Sequence, residues 1–138
     1  MQTQSISTNI VQQKSNFLRR ALQANALFSL LTGAAFVVAS GPIARFIGTD
    51  IPSTLVLIVG LGLLPFGYMV YRLTSGTAVS PKEARIVTIM DVSWVIGSFL
   101  LLALGWSLFT VAGRWFIALQ AEAVATFTLL QIIGLRRL

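Results

Sequence analysis

Residues 54–85 read TLVLIVGLGLLPFGYMVY RLTSGTAVSPKEAR. From Thr54 to Tyr71 there is no charge, and as a helix that block covers roughly 27 Å at 1.5 Å per residue, close to the thickness of a bilayer's hydrocarbon core. The following residues carry Arg72, Lys82, Glu83 and Arg85 among Ser, Gly and Pro. An uncharged block that abruptly gives way to a short basic turn predicts a transmembrane helix ending at a membrane surface. Tyr68 and Tyr71, at the junction, suit the interface.

The same pattern recurs on both sides. Apolar blocks are predicted as spans over about 22–40, 54–71, 86–104 and 115–135, each close to the length a bilayer requires. Hydrophobic residues make up 56% of the 138-residue chain and charged residues only 10%. A soluble domain this short cannot bury so much apolar surface. In a bilayer the constraint is backbone hydrogen bonding, which continuous helices satisfy internally. No strand-like alternation of the kind a β-barrel needs is present. The expected fold is an all-α membrane protein, a four-transmembrane-helix bundle running up-down-up-down, since short connections favour antiparallel neighbours. Residues 1–16, rich in Gln, Ser and Thr, are expected to form a flexible polar tail ahead of a membrane domain over 17–138. The basic flank, apolar block and Ala39-Ser40-Gly41 also resemble a secretory signal. Pro42 beside the would-be cut and the long polar lead-in argue that span 1 is retained.

The net charge is +6. Its placement at span ends points to topology and not to nucleic acid. Lys14, Arg19, Arg20, Arg72, Lys82, Arg85, Arg136 and Arg137 fall on one side, with only Arg45 and Arg114 on the other. The positive-inside rule therefore predicts cytoplasmic N- and C-termini. Between spans 1 and 2, Ile43-Ala44-Arg45-Phe46-Ile47 is apolar enough to lie in the interface. Trp106 and Trp115 flank a tight turn from Gly105 to Gly113. Pro65 removes an N–H in mid-span 2.

Polar residues within the spans are the candidate site, because they are costly in hydrocarbon and normally face protein. Asn25, Ser29 and Thr32 form one stripe of span 1, and Asp91, Trp94 and Ser98 form the equivalent stripe of span 3. Asn25, Asp91 and Gln131 each lie about five or six residues from a basic helix end, roughly 8–9 Å below the surface. They are expected to share a polar layer, with Asp91 also within reach of snorkelling Arg20, Arg72 or Arg85. Helix-to-helix hydrogen bonding, an ion or proton site, and a site for a lipid headgroup or a partner protein all remain open for this layer. Glu122 sits near the middle of span 4 with no basic residue at its depth, so it is expected to be neutral or hydrogen-bonded. Thr126 shares its face, Thr32 lies at a compatible depth, and Gln120 and Gln131 fall on the opposite side. Span 4, polar on two sides, is expected to be central in the bundle or to meet another subunit. Gly60 and Gly67 could make a smooth face for a helix or lipid tail, with helix packing the default. The pairs Ser29/Gly33 and Ser93/Gly97 have helix-contact spacing.

An offset of about 66 residues aligns Asn25-x-x-Phe28 with Asp91-x-x-Trp94, and Thr32 with Ser98. Two similar hairpins would produce this, and so would chance matching of apolar segments. Asn25-Ala26-Leu27-Phe28-Ser29 with Gly33, together with Asp91-Val92-Ser93-Trp94-Val95-Ile96-Gly97-Ser98, resemble a family of small bacterial four-span integral membrane proteins with no assigned activity. The resemblance runs from Leu18 to Leu135 and implies four spans in a bacterial inner membrane. A likeness to small multidrug transporters is poorer, since those have an essential Glu in the first span where this chain has Asn25.

The chain has no His and no Cys. That excludes disulfides, thiol chemistry and nearly all zinc, copper and haem ligation, and it removes the commonest general base. No cofactor or metal is expected, and no catalytic residue. The leading expectation is a non-enzymatic membrane protein acting by association, as an accessory or assembly subunit or a homo-oligomer. Its expected partners are the lipid bilayer and a second copy or another membrane protein. The alternative is a small proton-coupled transporter or channel using Glu122 and Asp91.

Overall fold

The computed structural model describes residues 2–76 and 78–138, with side chains from Asn16 onward. The elements are α1 (Gln2–Val38), α2 (Ser40–Ile47), α3 (Ser53–Thr74), α4 (Pro81–Leu104) and α5 (Val111–Arg137), with a 3-10 turn at Trp106–Leu108. Among the described residues, four stretches are long and apolar enough to cross a membrane: Asn16–Val38, Ser53–Thr74, Pro81–Leu104 and Val111–Arg137. The chain is an all-helical, multi-pass four-helix bundle. The tail expected over residues 1–16 lies almost wholly outside the residues with described side chains. Its backbone from Gln2 continues α1.

The surface has the polarity of a lipid-facing protein. Leu27, Leu31, Ile58, Ile89 and Ile96 are all more than half exposed, whereas Asn25, Asp91 and Gln131 are buried. With acyl chains as solvent, apolar side chains lose nothing by facing outward, and polar groups must find each other inside.

α4 and α5 start at capping residues and not at the first apolar residue. Ser80 Oγ accepts the Glu83 N–H at 3.5 Å and Pro81 takes the first helical position, so α4 starts at Pro81 and not at Ile86. This is the position where a missing N–H costs nothing. Thr110 Oγ1 accepts the Gly113 N–H at 2.9 Å, so α5 starts at Val111 and absorbs the end of the expected 105–113 turn. At the other junction, the backbone bends at Ala39, and α2 turns Ala44 and Ile47 inward with Arg45 and Phe46 exposed. Thr110 fastens α2 to α5: its N–H donates to Ile47 O at 2.9 Å and its hydroxyl to Phe46 O at 2.7 Å. Gly113 lies directly against the Ile47 backbone, where a Cβ would collide with the carbonyl. Arg114 stacks its guanidinium 4.1 Å from the Trp106 ring centroid and donates to Trp106 O at 2.9–3.0 Å, closing the turn.

α1 packs most extensively on α3, α4 on α5, and α1 on α5, while α3 and α4 barely touch. The helices therefore run α3–α1–α5–α4 around an interior that is open on one side. The Gly60 and Gly67 face of α3 seats α1. A Cβ at Gly60 would lie 2.8 Å from Phe36 Cβ and 2.9 Å from Gly33 O, and one at Gly67 would lie 2.8 Å from Leu30 Cγ. Gly33 meets Gly60 from the other side. The small pair Ser93 and Gly97, by contrast, lies exposed on α4, and nothing stands within 4 Å of a Cβ at Gly97.

Candidate polar site inside the bundle

Three helices bring Asn25, Asp91 and Gln131 together. Asn25 Nδ2 donates to Asp91 Oδ2 at 2.6 Å and to Gln131 Oε1 at 2.8 Å. Gln131 Nε2 donates to Asp91 Oδ2 at 3.1 Å and to Thr88 Oγ1 at 3.1 Å. Ser29 Oγ donates to Asn25 Oδ1 at 3.4 Å. Asn25, Asp91 and Gln131 are 1%, 4% and 0% exposed. The expected layer is therefore a closed triangle joining α1, α4 and α5. Asp91's partners are these two amides, not Arg20, Arg72 or Arg85, which lie exposed at the bundle ends. Amides at the carboxylate's own depth reach it without drawing a guanidinium out of water.

A second polar group sits further along α4. Trp94 Nε1 donates to Gln120 Oε1 at 2.8 Å, and Gln120 Nε2 donates to Ser98 Oγ and to Ile117 O, each at 3.0 Å. Trp94 and Ser98 were candidates from the sequence, but Gln120 as their partner was not. Its signal was the face it shares with Gln131, opposite Glu122.

Between these groups lies a cavity of about 280 Å³. Asn25, Phe28 and Thr32 of α1 line it, with Val59, Gly62 and Phe66 of α3, Met90, Asp91 and Trp94 of α4, and Gln120 of α5. Residues 66 apart thus face one another: Asn25 bonds Asp91, and Phe28 and Trp94 both line the cavity.

Glu122 is elsewhere. It lies exposed on the outer face of α5 with Thr126, whose hydroxyl donates to Glu122 O at 2.9 Å. Thr32, expected at a compatible depth, lines the interior cavity instead, so it does not attend Glu122. The two intramembrane carboxylates face different surroundings, Asp91 the bundle interior and Glu122 its periphery. Of the two placements open for span 4, a central helix and one that meets another subunit, α5 has a packed inner face and a bare polar outer one. No protein-family model matches the chain, and neither a curated protein nor a solved structure matches it.

Proposed function

We propose that this chain is a non-enzymatic bacterial inner-membrane protein that acts by association, with a second copy covering the outer face of α5. The observation that carries this reading is the exposed Glu122. In hydrocarbon an unpartnered carboxyl is strongly disfavoured, and the bundle's own cations lie at its ends.

The exposed residues around Glu122 support a helix partner. Trp115, Leu119, Glu122, Thr126 and Leu129 follow the spacing i, i+4, i+7, i+11, i+14 and are all exposed, Trp115 by 64%, Leu119 by 60% and Leu129 by 57%. That spacing is the one a paired helix uses along its seam, and it has Glu122 near its middle. A second copy in the same orientation brings a group to the same depth. Across a two-fold axis Glu122 meets its own counterpart, and a neutral carboxyl is both donor and acceptor. The charge bias of eight cations to two supports cytoplasmic termini, and the family resemblance supports the bacterial inner membrane.

Native mass spectrometry of gently extracted protein, with cysteine cross-linking in the membrane, tests the reading. The chain has no native Cys, so Leu119→Cys and Leu129→Cys are expected to cross-link two copies while Leu31→Cys on α1 does not. Glu122→Leu is expected to shift the dimer toward monomer. A monomer without cross-links would overturn the proposal, and a stoichiometric foreign partner on this face would make the chain an accessory subunit instead. The transporter reading draws support from the cavity at Asp91. It predicts proton-coupled flux in liposomes that Asp91→Asn abolishes, independently of the dimer.

A further inference from the structure

The hydrogen bonds of the polar site all point one way. Asn25 and Gln131 each have two amide N–H groups, and all four are engaged, on Asp91 and Gln131 in one case and on Thr88 and Asp91 in the other. Across the cavity, the Trp94 N–H and both Gln120 N–H groups are engaged as well. The amide and indole donors are therefore saturated, and what remains is acceptor capacity at Asp91 together with the Thr32 hydroxyl, which can donate or accept. Asp91 receives the Asn25 and Gln131 hydrogen bonds on Oδ2, while Oδ1, which takes no hydrogen bond among the described residues, is not one of the fully enclosed polar atoms and so keeps access to open space. This side chain is 96% buried, by its 4% exposure, and lines the cavity.

The other walls fix the rest of the ligand. Phe28, Phe66 and Trp94 line the space with aromatic rings, and its volume is about 280 Å³. A dry cavity of about 150 Å³ holds a benzene ring, so this one has room for roughly a dozen non-hydrogen atoms. A carboxylate oxygen seeking a donor, beside aromatic faces, suits a cation on an apolar body. The way in is lateral. α3 and α4 barely touch, Met90 and Trp94 are 45% and 37% exposed, and nothing stands within 4 Å of a Cβ at Gly62.

We propose that the cavity among α1, α3, α4 and α5 binds a small amphiphilic amine, with its ammonium on Asp91 Oδ1 and its apolar body against Phe28, Phe66 and Trp94, admitted from the bilayer past Gly62. The site faces the bundle interior, so it does not depend on the Glu122 interface and the two stand or fall separately.

The test uses full-length protein in phosphatidylcholine nanodiscs, titrated with 2-phenylethylammonium and, in parallel, with 3-phenylpropanoate, its anionic counterpart. Empty discs correct for partitioning. Saturable binding of the ammonium and not of the carboxylate is expected. Gly62→Leu, which fills the mouth where there is open space, is expected to weaken binding at least ten-fold. Asp91→Asn keeps an oxygen for Asn25 and Gln131 but turns an N–H toward the ligand, and is expected to do the same. Displacement by added phosphatidylethanolamine would assign the amine to a lipid headgroup, and its failure to displace would assign it to a free amine. Absence of saturable binding, equal binding of the carboxylate, or unchanged binding in Gly62→Leu would overturn the proposal. The last arm holds even if Asp91→Asn fails to fold.

Discussion

Asn25 is the hub of the interior, because its one amide group ties Asp91 to Gln131. Single hydrogen bonds between membrane helices average about 0.6 kcal/mol. Removing Asn25 does more than delete two of them, since it strips a donor from a buried carboxylate and another from a buried amide oxygen. Asp91 keeps the Gln131 N–H, but Gln131 Oε1 loses its donor from Asn25, and leaving one such buried acceptor unsatisfied costs about 1–3 kcal/mol. Asn25→Leu is therefore expected to lose about that much stability in reversible detergent unfolding, and Ser93→Ala, on the outer surface, close to none. Equal effects would mean that the triangle is not holding the helices. The sequence made this cluster legible because depth can be counted from the basic helix ends, and depth alone brought Asn25, Asp91 and Gln131 to one level. It did not tie Gln120 to Trp94, nor separate Thr32 from Glu122. Those depend on the rotation of one helix against another, which the number of residues from a membrane surface does not contain.

Helix-to-helix fit rests on where a Cβ is absent. On α3, Gly60 and Gly67 let α1 approach until their missing Cβ positions meet its side chains and backbone, whereas Gly62 faces open space. Adding side-chain carbon should therefore have opposite consequences a half-turn apart. Gly60→Val is expected to destabilise the fold by about 1–3 kcal/mol, since overpacking a tight contact shifts backbone or forces rotamers. Gly62→Ala is expected to leave stability unchanged or raise it by up to about 1 kcal/mol, as Gly to Ala does within a helix. Thermal melting of both variants in the same detergent checks the pair. The seven-residue spacing of Gly60 and Gly67 was visible in the sequence, but its occupant was not, since α1 is identified only by the matching Gly33. The spans were found from apolar runs, yet α4 and α5 start at Ser80-Pro81 and Thr110. Capping residues are polar, and a hydropathy reading assigns them to the loop.

At the level of the whole molecule, four spans and two kinds of loop make topology measurable. Because the chain has no Cys, Ser75→Cys and Asp50→Cys each provide a unique thiol in a loop where the residue is exposed. With cytoplasmic termini, a membrane-impermeant maleimide is expected to label Asp50→Cys in intact cells and Ser75→Cys only after lysis. The reverse pattern would invert the orientation read from the basic residues. The arrangement α3–α1–α5–α4, with its opening between α3 and α4, lay beyond the sequence. Short connections predict which consecutive helices are neighbours, but the loop from α3 to α4 joins two helices that diverge and leave the opening.

The triangle of Asn25, Asp91 and Gln131 also orders events during synthesis. The first, third and fourth spans each supply one corner, and α5 is the last of them to leave the ribosome. Until it is inserted, Asp91 and Asn25 lack the amide that completes their set, and a nascent chain held at three spans carries exposed polarity in the bilayer. The arrival of Gln131 supplies the missing amide and closes the set.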